Sequence, residues 1–383
     1  TGGRCQGIFV WTPSGSGGRN VLFEGLYIHG YSDNVVLYQM ENVRIYRCIV
    51  ADAYSRKNDG SVAKSQGIYA ARGMNGFTIE ECIIDHNGWL DDGSSTTGPN
   101  IFNHNMYLNN GNTNVVVRRN IISDASSHGV QIRSGGIVED NLVTHCAIGI
   151  LMGGGDNLEA NGVWALCRGN VVLSGKDIDA ANKRGFGIDF KNISSGSISN
   201  NIVANRLSLT GGYFSIGKSV SGGPEGIGVN NLTVSNNVVY NWSSEIRFNS
   251  NCSGVVVSDN IVQDPTDRGR PLTDTYTYND AEVDFKNNIY YSSRNTAEWF
   301  ASNSRDVTLD QWQTTSEADC VIEQVAFVDP NRTTATYAQA VGAGSTHADF
   351  MREARKQSKM NWRQEYTIDA LLSYFRAGFT RQN

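Results

Sequence analysis

The sequence predicts an all-β fold, a parallel β-helix of about ten coils with an irregular and helical C-terminal cap. Three observations lead to this prediction. One short motif recurs along most of the chain, a second strand-like segment lies between successive copies, and long insertions interrupt the repeat at restricted places. The composition agrees, because the 383 residues include 41 Gly and only 6 Pro, and 18% are charged. Such a composition is typical of neither a disordered nor a helical protein.

The recurring motif typically has Asn or Gly, then Val and an apolar residue, and it ends in Asn or Cys followed by two apolar residues. Its first copies are residues 20–28, 42–50, 76–84 and 114–122. The shortest spacings between equivalent positions are 21 to 23 residues, which would be one bare coil, and longer spacings contain inserted loops. We expect the Asn side chains of later copies to stack as a hydrogen-bonded structural ladder. These residues are Asn120, Asn141, Asn170, Asn201, Asn237, Asn260 and Asn288.

A second strand lies between the copies of the motif. In two successive coils it reads Met106-Tyr107-Leu108-Asn109 and Val130-Gln131-Ile132-Arg133. Because strand side chains alternate between faces, Met106 and Leu108 should point inward, and Tyr107 and Asn109 outward. The outward residues of neighbouring coils should then form one polar, aromatic and basic patch. The predicted outward series along this sheet is Val36, Tyr69, Tyr107, Gln131, Leu151, Asp189, Ser215 and Arg247, with Tyr38, Ala71, Asn109, Arg133, Gly153, Lys191, Gly217 and Asn249 beside it.

The long insertions flank this second strand on both sides. Insertions 51–66, 85–103 and 174–186 precede it, and insertions 153–162 and 217–230 follow it. Insertions in solenoids typically gather on the binding face. We therefore expect them to wall a groove over the sheet that carries the second strands.

The repeat fades near residue 292, which divides the chain into a β-helix over residues 1–292 and a tail over residues 293–383. In the stretch 347–379 the residues Ile368, Leu371, Leu372 and Phe375 form an apolar stripe at helical spacing. We expect this helical part to pack on the solenoid and to shield its open end.

Charge and cysteine usage exclude several classes of function. The net charge of −6 argues against nucleic acid as the main partner. The seven cysteines have no metal-binding spacing, and most fall at inward strand positions, so buried free thiols are expected. No apolar run is long enough for a membrane span.

The repeats over residues 20–292 resemble the right-handed parallel β-helix superfamily of polysaccharide-active proteins. That superfamily includes pectate lyases, chondroitinase-B-like alginate lyases, mannuronan epimerases and polygalacturonases. The segments 307–312 and 324–330 also look like the tail of many secreted bacterial β-helix proteins. The resemblance implies a groove for an extended, often acidic glycan, and activity by β-elimination, by hydrolysis or by epimerisation at C5. It also implies a bacterial protein that is secreted, extracellular or periplasmic, and monomeric.

The motifs of individual subfamilies match only in part. The chondroitinase-B-like group uses a lysine, an arginine and an acidic calcium site, and here only Lys64 and Arg72 flank the Tyr69 strand. Residues 127–129 and 131–133 loosely resemble two polygalacturonase motifs, but the acid pair Asp91-Asp92 lies in a loop. No cofactor is assigned. Ca²⁺ is a candidate because acidic residues are present in the loops, although their spacing is not that of an EF-hand.

Elimination on a uronate requires a group that neutralises the carboxylate, a base for the α-proton and an acid for the leaving oxygen. Arg133 is the candidate neutraliser, because its guanidinium pairs with carboxylates in a bidentate manner. His128 or His104 is the candidate base, and Tyr107 the candidate acid. A bend-stabilising hydrogen bond explains either histidine about as well as catalysis does. Substrate-binding candidates are Lys64, Tyr69, Arg72, Asn109, Gln131, Asp189, Lys191 and Arg247.

Two rival functions stay open from the sequence. A glycoside hydrolase on the same scaffold would use two carboxylates across the scissile bond, and the candidates are Asp156, Asp189, Glu225 and Glu245. A non-catalytic glycan-binding β-helix would have a groove without convergent titratable groups. The favoured prediction is a polysaccharide lyase that cleaves a uronate-containing glycan, such as alginate or pectate, by β-elimination.

Overall fold

Three long sheets and a short helical C-terminal part make up the described structure. The computed structural model describes residues 5–12, 18–55, 64–90, 98–155, 157–207, 214–219, 226–242, 244–248, 251–268, 271–275, 282–302 and 305–382. Within these residues each coil typically adds one strand to each sheet, two coils add a second short strand to one sheet, and strands of neighbouring coils pair in parallel. This arrangement is a parallel β-helix, as the repeat spacing predicts.

The first sheet carries the predicted second strands, and in the described residues it has twelve strands. Eleven are parallel, and the last pair, Phe300–Ser302 with Arg305–Val307, is antiparallel. The strands are Gln6–Trp11, Asp33–Tyr38, Gln66–Ala70, His104–Leu108, His128–Ile132, Ile148–Gly153, Phe186–Lys191, Phe214–Gly217, Ser244–Phe248, Thr273–Thr275, Phe300–Ser302 and Arg305–Val307.

The recurring motif forms the other two sheets, because a residue with positive φ bends the chain inside each copy, as Arg119 does before Asn120 (φ +58°). The second sheet contains Arg19–Glu24, Glu41–Tyr46, Asn75–Glu80, Thr113–Arg118, Gly136–Glu139, Val163–Arg168, Ile193–Ser199, Val229–Asn230, Leu232–Ser235, Cys252–Ser253, Val255–Ser258 and Val283–Lys286. The third sheet contains Tyr27–His29, Ile49–Ala51, Ile83–Asp85, Ile121–Ser123, Leu142–Thr144, Val171–Leu173, Ile202–Ala204, Val238–Tyr240, Ile261–Asp264, Ile289–Ser292 and Val321–Ile322. Tyr54–Ser55 and Trp89–Leu90 form a separate two-stranded sheet.

The core fills the inside of the solenoid, as the alternation predicts. Met106 pairs with Val130 and Leu108 with Ile132, and all four side chains are fully buried. The prediction is wrong for one strand, because Gly217, and not Ser215, lies between Asp189 and Arg247. Phe214 and Ile216 are both apolar, so a shift of two residues leaves the alternation unchanged.

The Asn ladder is confirmed, and it is continuous from Asn120 to Asn288. At each step the side-chain oxygen of one Asn accepts from both the backbone N–H and the side-chain NH₂ of the preceding one, as Asn170 does from Asn141 at 3.0 and 2.9 Å. Cys82 precedes the ladder, donating its backbone N–H to Asn120. Glu317 ends the ladder, because its Oε1 accepts both donors of Asn288.

The helical C-terminal part is confirmed, but most of it does not cover the end of the solenoid. Helix α1 (Leu309–Thr315) does so, because its buried Trp312 stacks on Phe300 of the last coil with ring centroids 4.5 Å apart. Helices α2 (Thr334–Ala340), α3 (His347–Ala354) and α4 (Ile368–Gly378) instead pack along the outer face of the third sheet. The predicted apolar stripe of α4 is buried there, because the outward side chains of the third sheet are themselves apolar.

Charged contacts fix these helices to the solenoid. Arg355 pairs with Asp52 and Asp85, and Arg119 pairs with Asp369 through two bonds of 2.8 and 2.7 Å. Strands 300–302 and 321–322 continue two sheets past residue 292, so coil structure extends into the predicted tail. All seven cysteines are free thiols, and only Cys5 is exposed, which confirms the prediction of buried thiols for the other six.

Candidate active site

A cleft of about 270 Å³ lies over the first sheet, near the middle of the solenoid. Eight predicted site residues line it: Lys64, His104, Tyr107, His128, Gln131, Arg133, Asp189 and Lys191. Each of the five predicted insertions also contributes a lining residue, respectively Lys64, Phe102, Arg184, Gly154 and Ser219. The described part of each insertion therefore borders the cleft over this sheet, in agreement with the sequence prediction.

Two histidines on neighbouring coils face each other in this cleft. The rings of His104 and His128 lie 4.5 Å apart in an edge-to-face arrangement, and their Nδ1 atoms are 3.2 Å apart. Ser127 Oγ lies 2.7 Å from His128 Nδ1, and the Gln131 amide lies 3.2 Å from His128 Nε2. Both nitrogens of His128 are therefore engaged by the protein. The His104 ring also has a hydrogen bond with the backbone of Asn103.

Burial disfavours the protonated form of both histidines. Burial, with the charge of Arg133 in second place, lowers the pKa of His104 to about 3. Burial and the neighbouring His104 hold the pKa of His128 well below its ordinary value. A buried neutral imidazole beside cations is available as a proton acceptor or donor.

The histidines reach the cleft because strict alternation fails where the strands begin. Alternation from Met106 would place His104 inside the solenoid, yet Asn105 is the residue that points inward. Its side chain bonds Asn87 and the Ser123 carbonyl at 2.9 and 2.7 Å. The equivalent residue in the next coil is Gly129, where a Cβ would lie 2.8 Å from the Gly149 carbonyl oxygen. Asn105 and Gly129 occupy the inward position at the bend, and the preceding residues, His104 and His128, therefore face outward.

Tyr107 and Arg133 complete the centre of the cleft. The Tyr107 ring stacks on Tyr69 at 5.4 Å, contacts the His104 ring at 5.4 Å, and has the Arg133 guanidinium 5.3 Å from its centroid. Arg133 Nε is buried, with no hydrogen-bond partner among the described residues. The guanidinium lies so close to Gly155 that a Cβ there would be 2.4 Å from Nη1. A donor group held in this way is ready to bind an anion.

One carboxylate faces these groups. Asp189 accepts hydrogen bonds from the backbone N–H and the hydroxyl of Ser219 at 3.0 and 2.8 Å. Burial raises the pKa of Asp189, and the charge of Lys191 opposes that rise. In the described lining Asp189 is the single acidic residue, against four cations, Lys64, Arg133, Arg184 and Lys191. The cleft is therefore electropositive.

Four of the predicted residues lie away from the cleft lining. Tyr69 stands behind Tyr107, and Asn109 lies beside Tyr69 and bonds its hydroxyl. Arg72 is exposed and packs near Gly111, and Arg247 pairs with Asp274 at 3.2 Å. Asp156, Glu225 and the Glu245 side chain, as well as the loop acids Asp91 and Asp92, lie outside the described residues.

Arg184 is the cleft residue that the sequence reasoning missed. A buried network holds its loop: Arg206 Nη2 donates to the Arg184 carbonyl at 3.1 Å and to Asp177 at 2.9 Å. Trp242 Nε1 donates to the Gly185 carbonyl at 2.8 Å, and Asp177 also accepts from the Arg184 N–H. The insertion 174–186 was recognised as a groove wall, so a search for cations within that insertion would have found Arg184.

The described residues contain no group of three or more His, Cys, Asp or Glu side chains arranged to hold a metal ion. Among those residues there is also no helix both long and apolar enough to cross a membrane.

Comparison with known proteins agrees with the fold. Residues 6–161 match the family described as "Right handed beta helix region". The matched residues lie within the parallel β-helix that the structure shows, in agreement with the fold that the sequence predicts. No curated protein matches the sequence.

Two solved structures show a distant likeness. The Agl-KA catalytic domain is 12% identical with a TM-score of 0.35, and the match covers 80% of this chain and 46% of that one. This chain thus spans about half the length of that domain. The A-module of the Azotobacter vinelandii mannuronan C-5 epimerase AlgE4 is 10% identical with a TM-score of 0.26, covering 80% of this chain and 89% of that one. Likeness of this degree carries no argument about activity.

Proposed function

We propose that the protein is a polysaccharide lyase that cleaves a uronate-containing glycan by β-elimination in the cleft over the first sheet. The observation that carries the proposal is the grouping of a buried, neutral histidine pair with Tyr107 and Arg133 in an electropositive cleft. These residues supply the three groups that the reaction requires.

The reaction divides among these side chains as follows. The Arg133 guanidinium pairs with the uronate carboxylate and so acidifies the proton at C5. A base removes that proton, the C5–H electrons form the C4–C5 double bond, and the bond from C4 to the glycosidic oxygen breaks. Tyr107 gives its hydroxyl proton to the departing oxygen. The products are a new non-reducing end with an unsaturated uronate and a shortened chain with a free hydroxyl.

His104 is the base in this proposal, with His128 as the residue that orients it. Gln131 Oε1 is buried without a partner, and the oxygen and nitrogen of an amide can exchange places by a half-turn. After that turn the oxygen accepts from His128 Nε2, and the single lone pair of His128 Nδ1 can accept from His104 Nδ1. His104 Nε2 then carries a lone pair toward the cleft.

Substrate binding itself would strengthen this base. The charge of Arg133 is the second cause of the low pKa of His104. A carboxylate bound to Arg133 offsets that charge and raises the pKa of the neighbouring imidazole. The base would therefore become competent when a uronate, and not a neutral sugar, occupies the cleft.

A glycoside hydrolase is less well supported. Hydrolysis of this kind uses two carboxyl groups on either side of the scissile bond. The described lining offers Asp189 alone, already bonded to Ser219, and the other candidate acids lie outside the described residues. The convergence of titratable groups likewise disfavours a pure binding protein.

The test is an ultraviolet absorbance assay for unsaturated uronate on alginate, pectate, glucuronan and glycosaminoglycans, with and without chelator. We expect the signal from at least one acidic polymer, and a loss of about 10²–10⁴-fold in Tyr107→Phe, His104→Gln and Arg133→Gln. Arg72→Gln, an exposed arginine outside the cleft, is the matched control and should retain activity. Loss of activity with chelator would identify a metal requirement.

New reducing ends without unsaturated product would replace the lyase proposal with hydrolysis. Binding without either product would leave a glycan-binding protein. We extend the proposal to a monomer that acts on polysaccharide outside the bacterial cytoplasm. Size-exclusion chromatography and cell fractionation of the source organism test those two points.

A further inference from the structure

A line of aromatic side chains runs along the outer face of the first sheet, from its N-terminal coil to the cleft. Ring centroids are 6.0 Å apart from Phe9 to Tyr38, 6.1 Å from Tyr38 to Tyr69, and 5.4 Å from Tyr69 to Tyr107. These rings come from four consecutive strands of the sheet, and Trp11 pairs in register with Tyr38. With a strand spacing of ~4.8 Å, the line is ~14 Å long.

The N-terminal half of this line is open to solvent. Phe9 and Trp11 are 53% and 59% exposed, although large aromatic side chains are seldom left so open side by side. The outward positions Val36, Tyr38, Tyr69 and Ala71 between these rings and the cleft carry no charge. The nearby carboxylate of Asp33 is buried, and it accepts the backbone N–H of Gln66 at 3.0 Å. The cationic cleft thus continues into a neutral aromatic surface.

We propose that Phe9, Trp11 and Tyr38 form a distal glycan-binding track that guides an extended polysaccharide into the cleft on the Tyr107 side. This inference deepens the proposed function and rests on it for the chemistry at the cleft. Sugar rings present apolar C–H faces that pack on aromatic rings, and the tyrosines add hydroxyls for polar contacts. Continuity with Tyr107 identifies the occupant, because a chain leaving the reactive uronate on that side must pass over these rings.

A protein occupant fits this surface less well. Gln6–Trp11 is the first strand of the sheet among the described residues. A further strand that paired with its outer edge would extend the sheet and would leave the faces of Phe9 and Trp11 as open as before. The track also predicts how the substrate is read. Arg133 recognises the carboxylate of the reacting unit, whereas the distal units are held by ring stacking and need carry no charge.

The test compares the Phe9→Ala/Trp11→Ala double variant with wild type on a long acidic polymer and on a trisaccharide of the same sugar. Leu22→Ala is the matched control, since Leu22 is 52% exposed and lies on the second sheet. We expect kcat/KM on the polymer to fall at least ~10-fold in the double variant, mainly through KM, with the trisaccharide unaffected. Retardation in gels that contain the polymer gives a second readout that needs no catalysis, and it should fall in the double variant alone.

Each outcome decides between the two proposals. Activity that the double variant retains in full on both substrates overturns the track and leaves the lyase intact. Retardation that is lost in the double variant, in a protein that forms no unsaturated product, supports the track and overturns the lyase. If wild type neither cleaves nor is retarded by any acidic polymer, both proposals are wrong. Concentration-dependent dimerisation that the double variant abolishes would assign the surface to a second copy of this chain.

Discussion

The Asn ladder makes a quantitative prediction that is independent of function. Asn170 sits at the middle of the ladder and is fully buried. Its side-chain nitrogen donates to the Val138 and Arg168 carbonyls and to Asn201 Oδ1 at 2.9, 3.1 and 3.0 Å. Its oxygen accepts from the backbone N–H and side-chain NH₂ of Asn141 at 3.0 and 2.9 Å. Asn170→Ala removes all of these bonds at once, together with a contact to Cys167 Sγ at 3.4 Å.

The cost follows from what is left unpaired. The Asn141 side chain keeps its bonds to the Val117 and Glu139 carbonyls, but its backbone N–H loses the Asn170 acceptor inside the solenoid. A buried donor without a partner costs about 1–3 kcal/mol, and the other lost bonds cost about 0.5–1.5 kcal/mol each where no substitute exists. Because some partners keep other bonds, we expect a total loss of about 3–5 kcal/mol in the free energy of unfolding.

Asn75→Ala is the matched control. Asn75 also bonds the next coil, through Thr113 and Asn114 at 3.0 and 2.9 Å, but it is exposed to water. Its loss should change stability by about 0.5 kcal/mol or less. Urea unfolding followed by circular dichroism measures both variants, and hydrogen exchange should show faster exchange at the Asn141 amide in Asn170→Ala alone. Equal stability of the two variants would refute the claim that the buried ladder, and not inter-coil bonding in general, holds the coils together.

Three further predictions concern the cleft. Gly155→Ala should lower kcat/KM on a uronate polymer by about 10²-fold, because the new Cβ displaces the Arg133 guanidinium. Gly30→Ala is the control and should not lower kcat/KM, since Gly30 also has a positive φ (+78°) but no atom lies within 4 Å of its added Cβ. Equal losses in the two variants would contradict this explanation. In a pH profile kcat/KM should stay constant below pH 6.5 and decrease only toward pH 3, because His104 is protonated, and so inactive as a base, only near its lowered pKa. A decrease centred at pH 6.5 would exclude His104 as the base. The free energy of unfolding should decrease as the pH is lowered from 6.5 toward 3, because the unfolded chain takes up protons that the buried histidine rings do not. The decrease should be up to about 1.4 kcal/mol per pH unit for each ring. His128→Gln, measured in parallel by urea unfolding, should show a smaller dependence on pH.

The periodic part of the fold could be predicted because equivalent positions in successive coils stack on one another and carry similar residues. The spacing of the motif gives the coil, and the alternation of Met106, Leu108, Val130 and Ile132 gives the buried face. The ladder follows from identical side chains at equivalent positions. The register cannot be predicted where a shift of two residues leaves the alternation unchanged, as in the Phe214–Gly217 strand.

The rest depends on contacts far apart in sequence. Glu317 ends the Asn ladder although it belongs to no repeat. Helices α2 to α4 lie along the third sheet because apolar residues face outward there, which the sequence within one coil does not distinguish from core positions. Arg184 reaches the cleft because Arg206, which follows the strand Ile202–Ala204, pairs with Asp177 of the insertion 174–186 and bonds the Arg184 carbonyl. Such pairings have no periodic signal.

Residues one coil apart meet in space throughout this solenoid, and the candidate site is one instance of that rule. Cys48 and Cys82, Tyr69 and Tyr107, and the ladder residues all stack in this way. His104 and His128 do the same at the entrance to the first sheet, where the bend turns both rings outward over one coil spacing. Both rings are buried in a dry site beside Arg133, and this burial, more than the contact between the rings, favours the neutral form that a proton-accepting base requires. The coil repeat that builds the fold therefore also places both rings in this buried site at the proposed centre of catalysis.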